Sequence, residues 1–102
     1  MNKFDTLVEA TKKKHEYVLY HDSYYKAIDA ALDYAERNGY TTDAEERADI
    51  IGMKSFRPKD GKTERVILPL YKNDKLQKKH LNIQVYNRGI NGNTYELNAY
   101  IS

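Results

Sequence analysis

The residues with the most recognisable chemistry lie in the stretch KDGKTERVILPL, positions 59–70, whose GKT matches the end of a nucleotide-binding P-loop. That motif needs G-x-x-x-x-G-K-[ST] running from a strand into a helix, so that backbone N–H groups and the helix N-terminus can cradle phosphate. Five positions before Gly61 stands Phe56, and the nearest upstream glycine, Gly52, is too far away. Downstream, ERVILPLY is β-branched and contains a proline, which predicts a strand. The spacing and the context both exclude a P-loop, and residues 58–62 read as a basic turn entering a strand.

The other candidates for chemistry fall short in similar ways. His15-Glu16 opens an H-E-x-x-H zinc motif, but position 19 is leucine and the second ligand is missing. His15, His21 and His80 have no metal-ligand spacing, and there is no cysteine to assist them. Asp29, Asp33 and Glu36 fall on the outward side of a helix, where no pocket tunes a carboxylate for acid–base work. An acidic stripe of this kind is either a solvated face or an imitation of DNA. No catalytic constellation, cofactor site or metal site is therefore expected, and binding is favoured over catalysis.

Charge is unevenly placed. Residues 1–50 carry 7 Lys/Arg against 11 Asp/Glu, a balance of −4, while residues 51–102 carry 10 against 4, a balance of +6. Such asymmetry steers encounter with charged partners without bearing on fold. Ten tyrosines and no tryptophan add side chains with an apolar body and a wet tip, suited both to a core rim and to a contact surface. The absence of cysteine argues against a disulfide framework and suits a cytosolic setting. No apolar run is long enough to be a signal peptide core or a membrane span.

The elements that must position these residues follow from periodicity. The 102 residues predict one domain, helical over 1–52 and a β-meander over 63–102. Residues 4–14 form a short helix ending in a lysine run. Residues 23–38 form a longer one with Tyr24, Ile28, Ala31, Leu32 and Ala35 as its apolar stripe, capped by Asp22 or Ser23 and ended by Asn38-Gly39. Thr42-Asp43-Ala-Glu-Glu46 offers a capping box for a brief helix to about Ile51. Three strands follow, with Val66, Leu68, Leu70, then Leu81, Ile83, Val85, then Tyr95, Leu97, Ala99, Ile101 on the inner face. Asn73-Asp74 is a two-residue hairpin turn that sets Leu70 opposite Gln77 and Val66 opposite Leu81. A five-residue loop over 88–92 keeps the second pair of apolar faces aligned. Pro69 belongs on an edge strand, and the first strand of a meander is one. The expected fold is α+β, with N-terminal helices packed on a three-stranded antiparallel meander in two layers.

That register fixes the outward face as Tyr86 opposite Thr94, Gln84 opposite Glu96, Asn82 opposite Asn98 and His80 opposite Tyr100, with Ile67 beside His80. Lys72, Lys75, Lys78 and Lys79 flank one end, and Arg57, Lys59, Lys62 and Arg65 the other. Amides can read base edges, tyrosines can stack on unpaired bases and lysines can meet phosphate. The same composition serves a protein contact or a plain solvated face. Tyr17, Tyr20, Tyr24 and Tyr25 cluster where the first segment meets the long helix, and any left exposed would mark a contact site.

Pro58-Lys-Asp-Gly-Lys-Thr63, Lys72-Asn-Asp-Lys75, Leu81-Asn-Ile-Gln-Val-Tyr86 and Tyr95-Glu-Leu-Asn-Ala-Tyr-Ile-Ser102 together resemble a cassette in small uncharacterised proteins of tailed bacteriophages, marine ones among them. The resemblance spans roughly residues 58–102 and, more faintly, residues 21–39. It implies a phage product made in the host bacterial cytoplasm or carried in the virion, working by contact with itself or with a phage or host protein. Nucleic-acid binding through the basic half and the amide–tyrosine face is the alternative.

Overall fold

The computed structural model describes residues 17–51 and 57–102. Its elements in chain order are β1 (Tyr20–His21), α1 (Tyr24–Arg37), α2 (Ala44–Ile51), β2 (Thr63–Lys72), β3 (Lys75–Asn87) and β4 (Tyr95–Ile101). The strands form one antiparallel sheet in the order β1-β4-β3-β2. The α+β class stands, but the sheet has four strands where the sequence predicts three. The helix expected over residues 4–14 lies outside the described residues.

The long helix starts and stops where its caps dictate. Ser23 is extended (φ −139°) and its Oγ accepts from the Lys26 N–H at 3.4 Å, which satisfies one of the orphan donors of the first turn. At the other end Gly39 adopts φ +89°. There the Gly39 N–H donates to Glu36 O and the Tyr40 N–H to Ala35 O, the paired bonds of a Schellman stop. Tyr24, Ala27, Ile28, Ala31 and Ala35 are the buried stripe. Leu32, expected in that stripe, is half-buried at its rim. The small alanines bring the helix close to the sheet, where it packs on Leu81, Ile83, Val85, Leu97 and Ala99. Full burial of one such side chain as Ile28 stabilises by about 1.5–3 kcal/mol. α2 is capped by Asp43, whose Oδ2 accepts from the Glu46 N–H at 3.1 Å, and it buries Ile50.

The β2–β3 hairpin turns on Asn73 (φ 50°) and Asp74 (φ 62°), the two left-handed residues of a type I′ turn. Next to the turn the expected register holds, with Lys72 opposite Lys75 and Tyr71 opposite Leu76. A bulge then sets Leu70 against the three residues 77–79, so Pro69 faces His80 and Val66 faces Ile83. Leu70 opposite Gln77 and Val66 opposite Leu81 are thus both corrected. Because the shift is of two residues, every side chain keeps its face.

The β3–β4 register is displaced by two as well. Tyr86 faces Glu96, Gln84 faces Asn98 and Asn82 faces Tyr100, while His80 exchanges both backbone bonds with Ser102. The expected pairs with Thr94, Glu96, Asn98 and Tyr100 each slip by one rung, and Ile67 sits beside Asn82. The connecting loop has seven residues instead of five. Asn87 explains the extra length: its Oδ1 accepts from the Gly89 N–H and the Thr94 hydroxyl, both at 2.8 Å. Its Nδ2 donates to Pro58 O at 2.9 Å and Asp60 Oδ1 at 3.3 Å. One buried amide therefore ties the 58–62 turn to the 88–94 loop with all its hydrogen-bonding capacity used.

Candidate functional site

α1 covers one face of the sheet, and no described element covers the other. Strand alternation assigns the side chains of that open face in rows. The first is Tyr20–Glu96–Tyr86–Thr63, the second contains Asn98–Gln84–Arg65, the third Tyr100–Asn82–Ile67, and the last His80–Pro69. Tyr20, Tyr86 and Tyr100 are 44%, 39% and 42% exposed and Ile67 is 64% exposed. Four large side chains on one face are thus each exposed by more than a third, interleaved with Glu96, Asn98, Gln84 and Arg65.

Of the residues expected there, Tyr86, Tyr100, Asn82, Gln84, Asn98 and His80 are brought together. The flanking cations are more scattered. Lys78 and Lys79 lie on the β3 bulge at the far end, and Lys59 and Lys62 on the turn next to Thr63. Arg57 is not part of the face: its guanidinium stands 5.3 Å from the ring centre of Tyr25, which belongs to α1 on the opposite side. Arg88 is not among the residues the sequence singles out, and Tyr20, expected to mark a contact site if exposed, takes a place on this face that the sequence does not predict. Tyr20 joins through the short strand β1, and Arg88 lies over its ring at 4.6 Å, a contact worth about 0.5–1 kcal/mol at an exposed site. Tyr17-Val-Leu-Tyr20 is apolar throughout and does not alternate, so the sequence carries little signal for that strand.

The amides differ in what they still offer. Asn82 Nδ2 donates to Ser102 Oγ at 3.1 Å and to His80 O at 3.3 Å, so its donor side is already engaged. The Gln84 and Asn98 side chains make no hydrogen bond among the described residues. Both are therefore available to a partner.

The tyrosine cluster at the start of the described chain divides cleanly. Tyr17 and Tyr24 are buried, Tyr20 and Tyr25 exposed. Tyr17 accepts from the Ala99 N–H at 2.9 Å and donates to the Ala99 carbonyl at 3.2 Å. A side-chain hydroxyl thus closes β4 where β1 has ended. Burial pushes this hydroxyl's pKa up, against a smaller lowering by the Ala99 hydrogen bond.

The remaining chemical candidates take structural places. Residues 59–62 form a turn with Gly61 at φ +76°, and the Gly61 N–H is spent on Asn87 O. GKT then runs directly into β2, as the sequence predicts, and presents no helix N-terminus. Asp29, Asp33 and Glu36 are exposed on α1, with Asp33 paired to Arg37 at 3.1 Å. His21 Nε2 contacts Val18 O at 2.8 Å, and His15 lies outside the described residues. Among the described residues no three His, Cys, Asp or Glu side chains converge as a metal site, and no helix is long and apolar enough to cross a membrane. A groove of about 400 Å³ runs between α2 and the edge of β2, with Glu46, Ile50 and Glu64 among its walls. No protein-family model matches the chain, and neither a curated protein nor a solved structure matches it at a significant level.

Proposed function

We propose that this protein works by binding another protein through the open sheet face, as a phage virion component or a small host-directed factor. The phage setting rests on the resemblance of residues 58–102. The binding reading rests chiefly on one observation: three half-exposed tyrosines share a face that no described element covers. Aromatic side chains and arginine are the groups that anchor protein interfaces, and Arg65, Arg88 and Ile67 stand among these tyrosines.

The arrangement favours a protein over a nucleic acid. Tyr20 and Tyr86 are two strands apart, about 10 Å at ordinary strand spacing, and Glu96 stands between them. A carboxylate in the middle of a stacking platform opposes phosphate. Asn82, which could read a base edge, has its donors engaged within the sheet. The nucleic-acid reading keeps the lysines of the 58–62 turn and the β3 bulge as its support.

Light scattering combined with affinity capture from a lysate of phage-infected bacteria separates the two. A homo-oligomer or a captured protein that is lost with Tyr86→Ala/Tyr100→Ala is the expected result. A strict monomer that retains only oligonucleotides, with affinity falling steeply as salt rises, would replace this reading with the nucleic-acid one.

A further inference from the structure

The edge of β2 is a second, independent feature. The bonds between Tyr71 and Thr41, N–H to carbonyl in both directions at 2.9 Å, show that Tyr71 turns its backbone groups away from β3. Strand alternation then points the same groups of Pro69, Ile67 and Arg65 outward. The opposite ladder agrees, since the even-numbered β3 residue His80 bonds to β4, leaving odd-numbered Leu81 and Ile83 to bond with Leu68 and Val66. Pro69 has no donor to lose, as a proline on an edge requires. Thr41 occupies the edge for one rung, then the chain turns away into α2. Among the described residues the outward N–H and C=O of Arg65 and Ile67 have no partner.

A long strand edge left bare is a template for another chain, and proteins usually blunt it. Here it is flanked by the α2 groove, whose lining includes the apolar Ile50 and Leu68 and three carboxylates, Glu46, Asp49 and Glu64, against one cation, Arg65. We propose that residues 65–69 of β2 dock an extended basic segment of another protein, which adds as a fifth strand. Its main chain bonds to Arg65 and Ile67. Alternate side chains drop toward α2, where cations meet Glu46 and Glu64 and an apolar residue meets Ile50. The charge pattern selects this occupant over a second copy of the chain. Two-fold pairing of β2 with itself would bring two sets of these carboxylates together, and like charges so placed repel.

The test uses a fluorescein-labelled hexapeptide, Thr-Lys-Thr-Val-Thr-Lys, and its counterpart with glutamate for lysine, read by anisotropy and by amide exchange of the full chain. The Arg65 and Ile67 amides should exchange freely in the protein alone and become protected when the lysine peptide binds. The glutamate peptide should bind at least about tenfold more weakly, and Glu46→Lys/Glu64→Lys should weaken the lysine peptide by about the same factor. Ile67→Pro should abolish binding while keeping every ladder bond to β3. Should that variant fail to fold, N-methylation of the peptide amides does the same from the other side. Tyr86→Ala/Tyr100→Ala should leave peptide binding unchanged, which keeps this edge distinct from the sheet face. The proposal is overturned if those two amides are protected without peptide, if protection rises with protein concentration alone, or if both peptides bind equally. Absence of binding at millimolar peptide would overturn it too.

Discussion

The two faces of the sheet are built from the same strands and carry tyrosines on both sides, yet they do opposite things with them. On the inner side Tyr24, the first residue of α1, is sealed between helix and sheet, edge-on to Tyr95 of β4 with ring centres 6.2 Å apart. Nearby, Tyr17 spends its hydroxyl on the backbone of Ala99. On the outer face Tyr20, Tyr86 and Tyr100 keep roughly half their surface in water, and only Tyr20 has a ring partner, Arg88, among the described residues. The inner tyrosines are therefore accounted for by stability, and the outer ones are not. That contrast is what supports the outer face as the proposed contact surface.

The sharpest way to break the contrast is to truncate an inner ring. Tyr24→Ala should lower unfolding free energy by about 3–5 kcal/mol, the usual cost of emptying a buried aromatic site, as read from urea denaturation. A cost below about 1 kcal/mol would mean that the inner face is not the core. Asn87→Ala comes next, at about 2–3 kcal/mol, because the groups it leaves behind include the Pro58 carbonyl and Gly89 N–H at buried or half-buried positions. It should also broaden the NMR signals of Arg88 and Tyr20, whose contact depends on the 88–94 loop.

Tyr17→Phe is smaller, about 1–2 kcal/mol, since it removes the partner of one backbone donor and one acceptor on β4. It also carries a pH signature. A tyrosine whose folded pKa is raised is held protonated by the fold. Its stabilisation is complete below the ordinary tyrosine value of about 10 and is lost as pH rises through the higher folded value. Urea midpoints measured up a series of alkaline pH values should fall more steeply for the native chain than for Tyr17→Phe. Equal slopes would remove Tyr17 from the account of alkaline unfolding. The smallest stability effects belong to the outer face, where Tyr86→Ala and Tyr100→Ala should each change stability by less than about 0.5 kcal/mol while abolishing partner capture. A large loss of stability from either would move that tyrosine into the core and dissolve the contrast.

Much of this was legible from local chemistry. Asp22-Ser23 and Asn38-Gly39 bounded α1, the capping box over residues 42–46 marked the start of α2, and Asn73-Asp74 placed the hairpin turn, because each acts on backbone groups within a few positions of itself. Which residue caps each helix, Ser23 and Asp43, came from the structure. Alternation identified which side chains of β3 and β4 face outward, and Tyr86, Gln84, Asn82 and Tyr100 are all found there. What stayed hidden depended on partners distant in sequence. The bulge opposite Leu70 and the seven-residue loop each slide a register by two, a change invisible to alternation because it preserves every face. The loop length is set by Asn87 reaching both Asp60 and Thr94. β1 is only two residues long and owes its existence to β4, so periodicity over Tyr20–His21 had little to detect. Arg57 was placed by nearness in sequence to Lys59, whereas the chain carries it to Tyr25 on the helix side.

The most direct test of the central claim is affinity capture from a lysate of phage-infected bacteria, comparing the native chain with Tyr86→Ala/Tyr100→Ala, each with and without nuclease. The account predicts a discrete protein retained by the native chain, resistant to nuclease and absent with the double variant. Capture that survives the loss of both tyrosines, or that disappears on nuclease treatment, would contradict it.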